Sequence, residues 1–127
     1  CQKHVGGPFG AFVEAGTEAA HFTVTRGSLA KFRSSNLGAR LFCRDCGTPL
    51  GFQYDAQPAF VVTIGSLDRH AEIVPERQYG IESREGWSGH LAAILETATE
   101  ALMGSEGYAA IQASNRQHPD HDTDKWP

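Results

Sequence analysis

The sequence predicts a mainly β fold, built of short antiparallel strands and followed by a C-terminal helix or coil appendage. Alternating apolar and polar residues predict several strands, and the apolar, β-branched run "AFVVTIGSL" (59–67) predicts a central one. A change to helical spacing after Trp87 predicts the appendage. The 14 Gly and 6 Pro residues agree with many turns. A chain of 127 residues is expected to form a single domain, residues 1–127.

The strands follow one another closely along the first two thirds of the sequence. In "AHFTVTRG" (20–27), Phe22 and Val24 face one side while the intervening threonines face the other. The segment 39–43 leads into a turn that carries two cysteines, and 79–83 is expected to add an edge strand. The remaining strands are predicted over 9–13, 28–35, 50–55 and 59–67.

The appendage begins where the alternation ends. Ser88 can cap the start of a helix and Gly104 can end it, which predicts a helix over 88–103. The tail, 114–127, is polar and is expected to be irregular. The apolar residues at helical spacing are Leu91, Ile94, Leu95, Ala98 and Leu102.

Composition narrows the class of protein. Eleven basic residues against 15 acidic ones give a net charge of -4, and they form no basic cluster, so nucleic acid is a poor partner. No apolar run is long enough to span a bilayer, and no signal peptide is evident, so no membrane partner is expected. Three cysteines do not suit a secreted disulfide framework, which favours a reducing, cytoplasmic location.

The most specific motif is "CRDCG", residues 43–47. Its spacing allows Cys43 and Cys46 to bind one tetrahedral zinc ion, and the following Gly47 allows a left-handed backbone. A thioredoxin-like redox pair is the rival interpretation, but such a pair opens a helix and here a strand follows. Two buried free cysteines are a third interpretation.

A second pair of zinc ligands is not obvious. Cys1 and His4 have a suitable spacing, as do the donors of "HPDHD" (118–122), but both segments could equally be solvated. His21 is better explained as a boundary residue at the start of a strand.

Several segments together resemble the glutathione-dependent formaldehyde-activating enzyme family, which also includes centromere protein V. The second cysteine segment, "ARLFCRDCGTPLGF" (39–52), is the most specific part of the resemblance. The other similar segments are "CQKHVGGPFGAF" (1–12), "VTRGSLAKFRSS" (24–35), "IGSLDR" (64–69), "ESREGW" (82–87) and "QHPDHDTDKWP" (117–127).

The resemblance implies a β-tent fold of small coiled antiparallel sheets with a zinc knuckle and two zinc sites. Cys43 and Cys46 match the late pair of the structural site. Cys1 matches the last cysteine of a middle cluster, whose zinc keeps an open coordination position, so Cys1 is implied as both a metal ligand and a catalytic residue. The other family cysteines would precede residue 1, which implies that an N-terminal portion is missing or that the chain is a natural short form.

The family implies condensation of glutathione with formaldehyde to S-(hydroxymethyl)glutathione, which makes the protein a carbon–sulfur lyase by reaction type. A small-molecule thiol is then the partner, and a homodimer is left open. Arg40, Arg84 and Arg44 are candidate anchors for the glutathione carboxylates, although each could simply make a surface ion pair. Phe9 and Trp87 could wall a cleft or belong to the core.

Two other classes of function compete with this one. The first is a non-catalytic, zinc-stabilised binding or scaffold module that uses the C-terminal helix as its partner surface. The second is an N-terminal nucleophile enzyme, in which Cys1 supplies the thiol and its own α-amine is the base.

Overall fold

The computed structural model describes residues 2–18, 22–57 and 59–125. The chain divides into two compact units, residues 1–84 and residues 85–127. The first unit contains a short helix and a β-sheet, and the second contains a longer helix. The expectation of one functional domain over residues 1–127 stays a prediction.

The described strands of the first unit are β1 (Phe12–Glu18), β2 (Leu29–Ser35), β3 (Gly38–Cys43), β4 (Pro49–Tyr54) and β5 (Ala59–Thr63). They form one antiparallel sheet in the order β1-β5-β4-β3-β2. The mainly β fold with a C-terminal helix is therefore confirmed, with the described strands in one sheet rather than several small ones. The short helix α1 (Gln2–Val5) precedes β1.

Four of the described strands follow the sequence pattern closely. The predicted strands 28–35, 39–43 and 50–55 correspond to β2, β3 and β4, and the apolar run 59–67 contains β5. The strand β5 is shorter than this apolar run: it ends at Thr63, because a 3-10 turn over Ile64–Ser66 follows directly. The edge strand β1 runs over Phe12–Glu18, so it begins three residues later than the strand predicted over 9–13.

The core of the sheet is small. Phe60 of β5, an inner strand that lies between β1 and β4, is 4% exposed, and the ring of Phe22 stacks on it at a centroid distance of 4.3 Å. Such pairing adds to the burial of apolar area that stabilises the sheet. The buried hydrophobic residues are Ala30, Ala39, Leu41, Phe60 and Ile64.

The strand predicted over 20–27 is wrong for its described part, residues 22–27, which form no strand; residues 20 and 21 lie outside the described part of the chain. Phe22 and Val24 alternate with threonines, but Phe22 contacts Phe60 through its ring. A strand also needs a partner edge for its backbone groups, and alternation alone does not supply one.

The edge strand predicted over 79–83 is also wrong. Gly80 has a φ of 66°, in the left-handed region, and a 3-10 turn follows over Ile81–Ser83. A left-handed residue reverses the backbone direction, so the extended conformation cannot continue through it.

In the second unit, the helix lies later than predicted. Residues Ser88–Ala93 form 3-10 turns, and the helix α2 runs from Thr99 to Ala113 instead of over 88–103. The chain is extended at Ala98, just before α2, and Gly104 lies within it as a kink with a φ of 73° rather than ending it. Among the described residues, no helix is long and apolar enough to cross a membrane.

Candidate functional site

The two cysteines lie on the tight turn that joins β3 to β4. Cys43 ends β3, and its carbonyl oxygen accepts a hydrogen bond of 2.9 Å from the backbone N–H of Gly47. The Cys43 N–H in turn donates to the carbonyl of Thr48 at 2.9 Å. Gly47 has a φ of 76°, which a residue with a Cβ adopts only with strain. The glycine therefore closes the turn that carries Cys43 and Cys46.

Cys46 is exposed and lies in an environment that favours its thiolate. Its sulfur lies 3.1 Å from the Thr48 hydroxyl oxygen. Hydrogen bonds from the Thr48 side chain, then from the Thr48 backbone and from Cys43, lower the pKa of the Cys46 thiol. A hydrogen bond to a thiolate stabilises the charged form, as a bound cation would.

The turn fits half of a tetrahedral zinc site. Cys43 and Cys46 are close enough for the Cys43 side chain to hydrogen-bond the Cys46 sulfur, and thiolates are the ligands that zinc prefers in closed sites. Cys1, the third cysteine that the resemblance implies, lies outside the described residues. In the described part of the chain, no three His, Cys, Asp or Glu side chains cluster as metal ligands would. The zinc assignments of Cys1, Cys43 and Cys46 stay predictions.

A second feature of the same unit is a groove of about 540 Å³ on the face of β2, β3 and β4, next to α1. We call it the basic groove, because three of its side chains are Lys3, His4 and Arg40. No acidic residue is found among the described residues that line it. Its remaining lining residues are Phe32, Ser34, Ser35, Gly38, Ala39, Phe52 and Tyr54.

Strand register explains why Arg40 lies between aromatic rings. Arg40 on β3 is directly opposite Phe32 on β2 and Phe52 on β4. Residues at paired positions of neighbouring strands project from the same face of the sheet. The Arg40 guanidinium carbon lies 5.2 Å from the centroid of the Phe52 ring, within the range of a cation–π contact.

The Phe52 ring itself is held from two sides. It makes edge-to-face contacts with Phe12 of β1 and with Tyr54 of β4, at centroid distances of 5.3 and 5.2 Å. Such contacts restrict the ring to one orientation, so the surface beneath Arg40 is fixed.

His4 reaches the groove from α1. Burial, and then the positive charge of Arg40, lower the pKa of His4, so its imidazole is neutral at pH 7. The Nε2 atom of His4 is enclosed and has no hydrogen-bond partner among the residues that the structure describes. The sequence suggested His4 only as a zinc ligand beside Cys1, and its position beside Arg40 is a consequence of tertiary structure.

The two arginines predicted as substrate anchors are not in the same place. Arg40 lines the basic groove, whereas Arg84 does not and donates a 2.6 Å hydrogen bond to the side chain of Gln78. The segment before Arg84 is tied to α1, because the Gln2 amide donates to the Ser83 carbonyl at 3.0 Å. Substrate binding by either arginine stays a prediction.

The other sequence candidates lie elsewhere. Arg44 is exposed on the cysteine turn, and its N–H donates to the Ser28 carbonyl at 2.8 Å. Phe9 and Trp87, proposed as walls of one cleft, belong to different units. The aromatic residues that the structure brings together are instead Phe32, Phe52 and Tyr54. The pairing of β2 with β3 and β4 is the signal that would have identified them.

Comparison with known proteins gives the family of the chain. A family model described as glutathione-dependent formaldehyde-activating enzyme matches residues 1–83, which is more than half of the chain. The protein therefore belongs to the glutathione-dependent formaldehyde-activating enzyme family, as the resemblance implied. No curated protein and no solved structure matches the chain. The matched segment contains the sheet, the cysteine turn and the basic groove.

Proposed function

We propose that the protein is a zinc-dependent carbon–sulfur lyase, which acts on the adduct of formaldehyde with glutathione or a similar thiol and resembles S-(hydroxymethyl)glutathione synthase. The observation that carries the proposal is the family match over residues 1–83. The cysteine turn supports it, because two neighbouring thiols on a rigid turn suit zinc. A reducing compartment such as the cytoplasm would keep both thiols available.

The proposed reaction forms one carbon–sulfur bond. The thiol sulfur adds to the carbonyl carbon of formaldehyde, and the thiol proton ends on the former carbonyl oxygen, which becomes a hydroxyl group. No oxidant or reductant is needed, and the reverse reaction releases both reactants. A zinc ion with an open position supplies thiolate stabilisation and Lewis acidity to such chemistry.

The proposed role of each residue follows from its position in the chain. Cys43 and Cys46 would hold a closed, structural zinc and thereby stabilise the turn between β3 and β4. Cys1 is proposed to belong to the catalytic zinc site. Arg40 and Arg84 are proposed to bind the carboxylates of the thiol substrate, since a guanidinium binds a carboxylate through two parallel hydrogen bonds.

The test is the exchange of ¹³C-formaldehyde between its hydrate and S-(hydroxymethyl)glutathione, followed by NMR. We expect the protein to raise the exchange rate above that of the same mixture without protein, and a chelator to remove the gain. The proposal is wrong if zinc-loaded protein leaves the spontaneous rate unchanged.

The second candidate is a non-catalytic, zinc-stabilised binding module. Apolar side chains of residues 85–127 favour it, because Leu95 is 91% exposed and Leu102 is 76% exposed. Exposed apolar side chains on one segment are typical of interaction surfaces. This candidate predicts zinc binding without turnover, so the exchange measurement separates the two functions.

A further inference from the structure

We propose that Thr48 is a positioning residue for the zinc ligands of the cysteine turn, because its hydroxyl donates a hydrogen bond to the Cys46 sulfur and holds that thiolate in place for the metal. The proposal rests on the zinc assignment of Cys43 and Cys46 within the proposed function. It adds a residue that is not itself a metal ligand and that controls how tightly the turn retains its zinc.

Thr48 contacts both cysteines of the turn. Its hydroxyl oxygen lies 3.1 Å from the Cys46 sulfur, and its backbone N–H also donates a hydrogen bond to Cys46. Its carbonyl oxygen accepts a hydrogen bond of 2.9 Å from the Cys43 N–H. One residue therefore fixes the backbone of the first cysteine and the side chain of the second.

The direction of the hydroxyl hydrogen bond follows from the chemistry of a metal ligand. A cysteine binds zinc as the thiolate, which has no proton to donate. The Thr48 hydroxyl is then the donor in its contact with the Cys46 sulfur. Hydrogen bonds to an ionised acceptor are stronger than those between neutral groups, and donors around a metal ligand fix its orientation.

The backbone on both sides restricts where the Thr48 hydroxyl can lie. Gly47, with a φ of 76°, turns the chain before it, and a residue that precedes a proline such as Pro49 is restricted to extended conformations. The β-branched side chain of Thr48 also has few rotamers. The Pro49 carbonyl accepts a hydrogen bond of 2.8 Å from the Thr63 hydroxyl, which attaches this end of the turn to the sheet. The donor is thus held in place before a metal binds, so little freedom is lost on binding.

The experiment uses the full chain and two metal probes. Competition with a chelator measures the affinity for Zn²⁺, and the sulfur-to-metal charge-transfer absorption of the Co²⁺-loaded protein reports on the thiolate ligands. Cys46→Ser identifies the part of this absorption that belongs to the cysteine turn.

Thr48→Val keeps the shape of the side chain and removes the hydroxyl. We expect it to weaken Zn²⁺ binding about tenfold, the lower end of the usual effect, because Thr48 is exposed and water can replace part of its contact. The charge-transfer band should also move to lower energy, because a thiolate that accepts one hydrogen bond fewer is a stronger electron donor. A hydroxyl that only stabilised the turn would not move this band.

Two further variants are the controls. Thr48→Ser retains the hydroxyl and should recover most of the Zn²⁺ affinity and of the band position. Thr23→Val removes a hydroxyl from an exposed residue outside the turn and should match wild type. Circular dichroism establishes that each variant is folded before its metal binding is compared.

The outcomes are distinct. The inference is wrong, and the zinc assignment stands, if folded Thr48→Val binds Zn²⁺ and absorbs like wild type. It is also wrong if Thr48→Ser binds as weakly as Thr48→Val, because the hydroxyl is then not the cause. If the Co²⁺ absorption is the same in wild type and Cys46→Ser, the turn binds no metal, and the zinc assignment is overturned together with this inference. Formaldehyde exchange on the same preparations tests the lyase function separately, since its absence beside an intact effect of Thr48 would overturn that function alone.

Discussion

The Arg33 guanidinium binds the Asp55 carboxylate through both of its terminal nitrogens, at 2.7 and 2.8 Å. Arg33 is on the edge strand β2, and Asp55 follows the end of β4, so the pair spans the hairpin end of the sheet. The same guanidinium donates to the Asn36 carbonyl at 3.0 Å, within the turn between β2 and β3. One exposed side chain thus connects three strands next to the basic groove.

The Arg33–Asp55 pair predicts a pH-dependent contribution to stability. The hydrogen bonds from Arg33 lower the pKa of Asp55 from its ordinary value of 3.8. A lowered pKa in the folded state means that the contribution is complete above the unfolded value and is lost as the pH falls through the folded value. We expect Asp55→Asn to lower the free energy of unfolding at pH 7 slightly, and the difference from wild type to vanish below the folded pKa.

Urea unfolding of both proteins at pH 7 and at successively lower pH values below 4 measures this difference. Asp68→Asn, a change at another exposed acid of the same unit, is the matched control. A difference between Asp55→Asn and wild type that grows as the pH falls would contradict the assigned sign.

Gly51 predicts a steric effect in the centre of the sheet. It is buried on β4, and a Cβ at this position would overlap the backbone carbonyl oxygen of Val61 on β5. Backbone atoms of two paired strands cannot separate without loss of their hydrogen bonds. We expect Gly51→Ala to lower the free energy of unfolding by about 1–3 kcal/mol, the usual cost of overpacking.

Gly65 provides the control for this substitution. A Cβ at Gly65 would meet no heavy atom within 4 Å, and the residue lies in the 3-10 turn that follows β5. Gly65→Ala should therefore leave the unfolding midpoint nearly unchanged. Equal midpoints for Gly51→Ala and Gly65→Ala would mean that β4 and β5 are not as close as described.

Sequence patterns predicted the fold where the physical cause is local. The β-branched run before Thr63 and the alternation in β2 and β4 each reflect one strand's own surroundings. The strand predicted over 20–27 shows the limit of this reasoning. Phe22 and Val24 alternate as in a strand, but whether backbone groups find a partner edge depends on distant parts of the chain.

The candidate site follows the same rule. Arg40 could be chosen from its chemistry alone, and the cysteine turn from its spacing. The basic groove could not be predicted from the sequence, because it depends on the register that aligns Phe32, Arg40 and Phe52 across three strands. His4 of α1 lines the same groove as Arg40 of β3, and no local pattern encodes that two residues so far apart in the chain share a groove.

The hydrogen bond of Thr63 connects the cysteine turn to the sheet, and its removal should lower the stability of both. This buried residue at the end of β5 donates a hydrogen bond of 2.8 Å from its hydroxyl to the carbonyl of Pro49, where β4 leaves the cysteine turn. Thr63→Val keeps the shape but leaves the Pro49 carbonyl without this donor. We expect it to lower the free energy of unfolding by about 1 kcal/mol.

Thermal unfolding of Thr63→Val beside Thr23→Val, a change at an exposed position, measures the effect. The reactivity of Cys46 toward iodoacetamide provides a local measurement, since a looser turn should expose the thiols more. Unchanged stability and unchanged Cys46 reactivity would show that the Thr63 hydroxyl does not hold the turn.

The cysteine turn predicts the zinc content of the protein. If Cys43 and Cys46 hold a structural zinc, then Cys43→Ser and Cys46→Ser should each lower the zinc content by about one ion per chain, because a closed site needs all of its ligands. Asp45→Asn changes a charge on the same turn without removing a thiol and is the matched control. Zinc is measured by elemental analysis of protein purified without chelator.

The same variants separate a structural zinc from a catalytic one. Loss of a structural zinc should lower the unfolding temperature, because metal binding to a folded site is part of the free energy of folding. Addition of a chelator to wild type should then reproduce the unfolding temperature of Cys46→Ser, and have no further effect on that variant. Equal zinc contents in wild type and both serine variants would mean that the turn holds no zinc, and the two thiols would need another explanation.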